Sequence, residues 1–259
     1  MPGNAMADRV SFFVVSIALL LINHYASGSG EEEAGAFSYT GETGPEKWGS
    51  LSPAYSACSQ GKSQSPIDIV TNKAQLKADL KPLNRDYHQA SNATLVNTDF
   101  GIGMHYDDAG VLILDDIKYA AELHLVHADD AGNHVVVGIL YRYGNDDPLL
   151  AKIKRKLDEL AKKECKSNEE ARIPVGMFDL TRLKRSTRSR VYYRYHGSLT
   201  SPPCSENVLW HVLGRVRTIS KKQVEAIKAP LGCGCKSNSR PPQQLNGRSV
   251  ELYDAAIKK

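Results

Sequence analysis

A glutamate and a histidine lie two residues apart in the segment at residues 121–127, which reads Ala-Glu-Leu-His-Leu-Val-His. Because side chains alternate between the two faces of a β-strand, Glu122 and His124 share one face and His127 lies on the other. A carboxylate beside an imidazole can accept the second ring N–H and fix its tautomer, as it does around many metal-bound histidines. The segment therefore indicates either a metal ligand with its orienting carboxylate or a structural histidine within a strand.

A second segment, at residues 195–204, combines a hydroxyl group with a rigid turn. Gly197, Pro202 and Pro203 punctuate the chain and predict an extended turn after a strand. Thr200 lies between them, and its hydroxyl can both donate and accept a hydrogen bond. Such a hydroxyl can orient a metal-bound hydroxide, and the alternative is an ordinary proline-rich loop.

The elements that position these residues are mainly strands. Runs rich in β-branched and aromatic residues predict strands at residues 111–114, 121–127, 134–143 and 191–195. Asp147 followed by Pro148 predicts the start of one helix, and Ser220 with Gln223 forms a capping box for another. We therefore predict a mainly β (α+β) fold: a single domain with a large central, mostly antiparallel, twisted sheet and a few peripheral helices.

The N-terminus has the features of a secretory signal. Arg9 precedes an apolar run at residues 10–22, and the small residues at 26–28 are typical of a cleavage site. The run is short for a bilayer crossing, and a retained anchor is the alternative. We predict a signal peptide at residues 1–28, a mobile lead-in at 29–36 and one domain at 37–259. The mature protein is then expected to be extracellular, without membrane contact, or to reach the plastid through the secretory route.

Composition and charge narrow the class of partner. A formal net charge of +4 with 24% charged residues does not indicate a nucleic-acid binder. The secretory route makes disulfides plausible, and an odd number of cysteines leaves at least one thiol outside any intrachain pair. The five cysteines are Cys58, Cys165, Cys204, Cys233 and Cys235. The sequon that begins at Asn92 predicts a glycan if its segment is exposed.

Several separated motifs resemble the α-carbonic anhydrases and occur in the same order. The residues within these motifs are most similar to those of the plant members. The stretches that carry the resemblance are residues 48–49 (Trp-Gly), 61–69 (Gly-Lys-Ser-Gln-Ser-Pro-Ile-Asp-Ile), 122–127 (Glu-Leu-His-Leu-Val-His), 195–203 (Tyr-His-Gly-Ser-Leu-Thr-Ser-Pro-Pro), 207–210 (Asn-Val-Leu-Trp) and 238–248 (Asn-Ser-Arg-Pro-Pro-Gln-Gln-Leu-Asn-Gly-Arg). The resemblance runs from about residue 37 to near the C-terminus. It implies zinc-dependent, reversible hydration of carbon dioxide to bicarbonate.

The resemblance also implies roles for individual residues. His124 matches one of three zinc ligands, Glu122 the carboxylate that orients it, and Thr200 the hydroxyl that controls access to zinc-bound hydroxide. The residues that match the apolar wall of the carbon dioxide pocket are Val126, Val137, Leu199 and Trp210. Cys58 and Cys204 match the usual disulfide of the family.

One piece of the family pattern is missing. In the family, a strand with a His-x-His pair and a Ser-Glu-His turn precede the Glu-Leu-His strand. Here residues 114–120 run directly into that strand, and no His-x-His occurs in the sequence. The missing piece would hold two zinc ligands, the glutamine that orients one of them, and the glutamate that accepts the proton of the Thr200 hydroxyl. Phe100 stands where the family places its proton-shuttle histidine.

The loss has consequences for both metal and fold. One imidazole cannot fix a zinc ion that needs three protein ligands, so zinc binding is not expected. A lost central strand leaves neighbouring backbone groups without partners unless residues 117–127 shift to fill the gap. Because no Gly, Asn or Pro lies between residues 118 and 127, we expect a continuous strand there.

Three hypotheses follow for the function. The chain is an α-carbonic anhydrase by descent with its activity lost or severely reduced, or a catalytically silent binding or storage protein like the carbonic anhydrase-like proteins of plant tubers. The third hypothesis is a shortened transcript or gene model of an active enzyme. A clean loss flanked by intact motifs favours the third hypothesis.

Overall fold

The computed structural model describes residues 36–83, 89–98, 100–106, 110–115, 119–129, 132–163, 171–179, 181, 189–232 and 235–257. The predicted signal peptide and all but the last residue of the predicted lead-in lie outside these residues, as do His88, Cys165 and Cys233. None of the helices in the described part of the chain combines the length and the apolar character needed to span a bilayer.

The described residues form one eleven-stranded sheet. Its strands are β1 (Gln75–Leu76), β2 (Gln89–Asn97), β3 (Ile102–Tyr106), β4 (Gly110–Asp115), β5 (Ala121–Ala128), β6 (His134–Tyr143), β7 (Ala171–Asp179), β8 (Val191–Gly197), β9 (Val208–Leu213), β10 (Arg217–Ile219) and β11 (Glu251–Asp254). The strand order across the sheet is β1-β11-β8-β9-β6-β5-β4-β3-β2-β7, and β10 pairs with β6 beside this path. Three pairs are parallel (β1 with β11, β6 with β9, β6 with β10) and the others are antiparallel. The predicted fold class is therefore confirmed.

Helices are few and peripheral in the described residues. They are α1 (Trp48–Leu51), α2 (Ala57–Gln60), α3 (Pro148–Leu160) and α4 (Lys221–Lys228), with 3-10 turns at Gly41–Thr43, Pro53–Tyr55 and Thr71–Lys73. Helix α3 begins where the sequence predicts, because the Asp147 carboxylate accepts hydrogen bonds from the N–H groups of Leu149 (2.8 Å) and Leu150 (3.2 Å). The capping box of Ser220 and Gln223 is also present at the start of α4.

The sheet separates two apolar clusters. One face packs against α3 and α4 and includes Leu123 and Leu125 of β5. The other face holds a smaller cluster around Tyr195 and Trp210. Since Leu123 and Leu125 alternate with Glu122 and His124, the two faces of β5 are used as strand alternation predicts.

Strand β4 completes the sheet beside β5. It pairs with β3 on one side and with β5 on the other, while β5 also pairs with β6, so β5 has a neighbour along both edges. The strand that was expected to be continuous begins only at Ala121, because the backbone bends at Tyr119 and Ala120. The Ala120 N–H still donates to the Tyr141 carbonyl of β6 at 2.9 Å. The hairpin of β3 and β4 thus supplies the partner that a missing strand would otherwise have provided.

Candidate functional site

His124 and Glu122 form a buried pair in the middle of the sheet. His124 is 3% exposed and Glu122 is 5% exposed, and the distance from His124 Nε2 to Glu122 Oε1 is 2.9 Å. The contact is short, but the ring N–H is not aligned with the oxygen well enough to form a hydrogen bond. A metal-bound imidazole is usually oriented by donating its ring N–H to such a carboxylate, and here the two atoms lie within reach of that hydrogen bond without forming it.

Gly138 makes room for this pair. It is the Cα partner of His124 on β6, and a methyl group on it would come within 2.7 Å of Glu122 Oε1. The position therefore requires glycine for as long as the carboxylate lies there. Sequence reasoning missed this residue, although an isolated glycine inside a β-branched run is a signal of close approach.

An indole packs against the imidazole from β9. The ring centroids of Trp210 and His124 are 4.9 Å apart in an edge-to-face arrangement, and Tyr195 stacks parallel to Trp210 at 6.2 Å. The indole N–H donates to the Ser198 carbonyl at 3.0 Å. The hydrogen bond ties the indole to the segment that also carries Thr200.

The loop that carries Thr200 is held from both ends. The Ser198 hydroxyl accepts from the Ser65 N–H at 2.9 Å, and the Ser198 N–H donates to the Ser65 hydroxyl at 3.0 Å. At the other end, a disulfide joins Cys58 and Cys204, the pair that the resemblance implied. Thr200 itself is half-buried between these two attachments.

Three of the four residues expected to form the apolar wall of the carbon dioxide pocket lie together. Val126, Leu199 and Trp210 belong to the cluster on the face of His124. Val137 does not, because it lies in the cluster on the opposite face. The residue of β6 on the face of His124 is Val136, which is the Cα partner of Val126. The assignment of Val137 was wrong by one residue, and in a strand a one-residue shift reverses the face.

Across from His124 on the β4 side stands an aliphatic residue. Ile113 is the Cα partner of His124, with Val111 opposite Val126 and Asp115 opposite Glu122. Zinc sites in proteins use three or four nitrogen, sulfur or oxygen ligands arranged tetrahedrally. At the β4 positions opposite His124 and Val126, the described strand carries Ile113 and Val111 rather than imidazoles.

The remaining described histidines lie elsewhere. His127 and His211 are on the opposite face of the sheet; His127 Nδ1 is 3.3 Å from the Val135 carbonyl oxygen, and His211 contacts the Tyr192 ring at 5.5 Å. Burial lowers the pKa of both imidazoles, that of His211 to about 4. Of the other three, His105 on β3 is the Cα partner of Val111 and lies on the face of His124 two strands away, His134 begins β6, and His196 is exposed near the end of β8.

Phe100 lies in an aromatic contact rather than a polar one. Its ring centroid is 4.8 Å from that of Phe37, and its carbonyl accepts from the Asn238 side chain at 2.9 Å. A phenyl ring has no titratable group, so position 100 cannot relay protons.

The chain matches the sequence profile of the eukaryotic-type carbonic anhydrases over residues 43–113 and 112–254. The two matched stretches meet within β4, close to the point where the family pattern is interrupted. "Alpha carbonic anhydrase 7" of Arabidopsis thaliana is 37% identical over 269 aligned positions, which cover 93% of this chain and 95% of the relative. Because the alignment is longer than the 259 residues of this chain, the relative has residues with no counterpart here.

Solved structures show the same fold. A crystal structure of dioscorin complexed with ascorbate superposes with a TM-score of 0.78 at 28% identity, covering 85% of this chain and 98% of that one. The α-carbonic anhydrase of Thermovibrio ammonificans, solved with the inhibitor sulfanilamide, superposes with a TM-score of 0.68 at 33% identity, covering 84% and 99%.

Proposed function

The chain belongs to the eukaryotic-type carbonic anhydrase family, and we propose that it is a member that has lost the hydration of carbon dioxide. The observation that carries the proposal is the β4–β5 register, in which Ile113 stands opposite His124. Strand β4 takes the place beside β5 without bringing an imidazole there. His124 is thus left as one ligand of an incomplete zinc site, with Glu122 still positioned beside it.

An incomplete zinc site has a large chemical consequence. Zinc in carbonic anhydrases lowers the pKa of its bound water to about 7, far below that of bulk water, which is a property of the family and not a finding on this chain. That difference corresponds to about 12 kcal/mol of deprotonation free energy. Thr200 and the apolar residues Val126, Leu199 and Trp210 can position a small substrate, but they cannot supply this free energy.

The complete pairing of β5 within the sheet favours a stable, catalytically inactive protein over a chain that fails to fold. Strand β5 is paired along both edges, and the disulfide and both apolar clusters are in place around it. The higher TM-score with dioscorin than with the bacterial enzyme, at lower identity, fits a role in binding or storage. The second candidate function is therefore binding or storage, in a protein that is secreted or that reaches the plastid.

The alternative of a shortened gene model is supported by the interrupted family match. Sequencing the transcript across the codons for residues 112–121 separates the two cases. A longer transcript that encodes a His-x-His strand would make this chain a by-product of an active enzyme.

The direct test is zinc content together with activity. The mature chain is purified, equilibrated with zinc and dialysed, and its metal is measured by mass spectrometry beside the Arabidopsis relative as positive control. We expect zinc well below one ion per chain, no sulfanilamide-sensitive hydration of carbon dioxide, and cooperative unfolding that a chelator does not change. One zinc per chain with inhibitor-sensitive hydration would refute the proposal.

A further inference from the structure

Strands β2 and β7 are irregular where they pass each other near residue 92. Ala90 is paired with Phe178 and the next matched pair is Ala93 with Gly176, so two residues of β2 face one residue of β7. This is the arrangement of a β-bulge, which leaves residues unpaired in the ladder and redirects their side chains. Asn92 is one of the two bulged residues.

The bulge presents Asn92 to solvent. Asn92 is exposed, whereas its neighbour Ala93 is buried in the cluster under α3. Asn92, Ala93 and Thr94 form an Asn-x-Thr sequon without proline at the middle position, and no other sequon occurs in the sequence. The chemistry required for N-linked glycosylation is an accessible carboxamide with a hydroxyl two residues later.

The single residue of β7 within the bulge is Met177. It is 69% exposed, the highest value among the large apolar side chains of the described residues. Strand β7 is also the last strand in the described sheet order, so one of its backbone edges has no neighbouring strand there. Exposed apolar side chains on a long edge strand favour pairing with other chains.

Helix α3 packs against β7 through its buried face, and Met177 lies at the border of this contact. A cavity of about 240 Å³ lies between the exposed parts of the two elements, lined by Lys152, Arg155 and Lys156 from the helix and by Val175, Met177, Phe178 and Asp179 from β7. The three positive side chains of this lining discourage close approach of a second copy from the side of α3.

We propose that Asn92 carries an N-linked glycan and that this glycan covers Met177 and the edge of β7. A large hydrated group attached across from Met177 keeps other chains away from both the thioether and the open backbone edge. The proposal requires entry into the secretory route, which residues 1–28 predict, and it is independent of zinc and of catalysis.

The modification is tested on the full chain expressed in plant cells. The secreted protein is treated with peptide N-glycosidase, and the conversion of Asn92 to aspartate is read by peptide mass spectrometry. We expect conversion in the native chain and in Thr94→Ser, which keeps the sequon, and none in Asn92→Gln or Thr94→Val. A secreted chain with its leader removed and Asn92 unmodified overturns the proposal, as does a chain that never enters the secretory pathway.

The covering role is tested by self-association. Light scattering and sedimentation are compared for the native chain, Asn92→Gln, and Asn92→Gln combined with Met177→Gln. We expect Asn92→Gln to self-associate severalfold faster and the double variant to return to the native rate. Equal rates for the native chain and Asn92→Gln would show that the glycan does not cover the edge, and a double variant as fast as Asn92→Gln would show that Met177 is not what it covers.

Discussion

Ile113 of β4 and His124 of β5 are direct Cα partners in an antiparallel ladder. Residues opposite each other in such a ladder lie on the same face of the sheet, with Cβ atoms about 4.5–5.5 Å apart. Position 113 is therefore near enough for a second ligand beside His124, and position 111 lies two residues along on the same face. These two positions carry Ile113 and Val111, so β4 presents no imidazole beside His124.

The first prediction is that histidines on β4 create zinc binding. In the double variant Val111→His with Ile113→His, three imidazoles share one face of adjacent strands, which meets the minimum for a zinc site. Isothermal titration should show one zinc per chain with affinity far above that of the native chain. Adding His124→Ala should abolish the gain, and adding Glu122→Gln should weaken binding roughly 10- to 100-fold. Equal binding with and without His124 would show that the ions are held elsewhere.

The second prediction concerns the close approach of β6 to Glu122. Gly138→Ala places a methyl group 2.7 Å from Glu122 Oε1, so the carboxylate must move or the strands must separate. We expect a loss of about 1–3 kcal/mol in the free energy of unfolding, measured by urea titration. Gly232→Ala is the matched control, because a Cβ at position 232 meets nothing within 4 Å.

A double-mutant cycle locates the cause of that loss. If the Glu122 carboxylate is the group that the new methyl strikes, Gly138→Ala should cost much less in a Glu122→Ala background. An unchanged cost in that background would place the strain in the β6 backbone instead.

Much of the architecture was predictable because it depends on local chemistry. The faces of β5 followed from the period of two, and the starts of α3 and α4 followed from the capping residues Asp147 and Ser220. The assignment of Val137 failed because a valine run fits a strand in either register, and only pairing with Val126 selects Val136.

The strand that pairs with the second edge of β5 was not predicted, although β4 directly precedes β5 in the chain. Backbone hydrogen-bonding capacity shows that a partner is needed, but it does not identify β4 as that partner. Gly138 was missed for a related reason, since the need for glycine arises from the side chain of Glu122 on a neighbouring strand.

The third prediction concerns the buried carboxylate that joins α3 to β10. Asp147 caps α3 and pairs with Arg217, and both side chains are largely buried. Asp147→Ala leaves the guanidinium without its counter-ion, so we expect a loss of about 3–5 kcal/mol in the free energy of unfolding. Asp158→Ala, which breaks the exposed pair with Lys154 (2.8 Å), should cost no more than about 1 kcal/mol. Similar losses in urea titration for both variants would contradict this assignment.

The last prediction follows from His211, whose pKa is lowered to about 4, first by burial and then by the positive charge of Arg194. Between pH 6.5 and 4 the unfolded chain binds a proton at position 211 that the folded chain does not, so acidification favours unfolding. We expect urea titrations to show a contribution on the order of 2–3 kcal/mol lost across this window and none above it. His211→Phe should remove that part of the pH dependence, and an NMR titration of the native imidazole should show a midpoint near 4. A midpoint near 6.5, or a variant with the native pH profile, would mean that His211 is not buried in its neutral form.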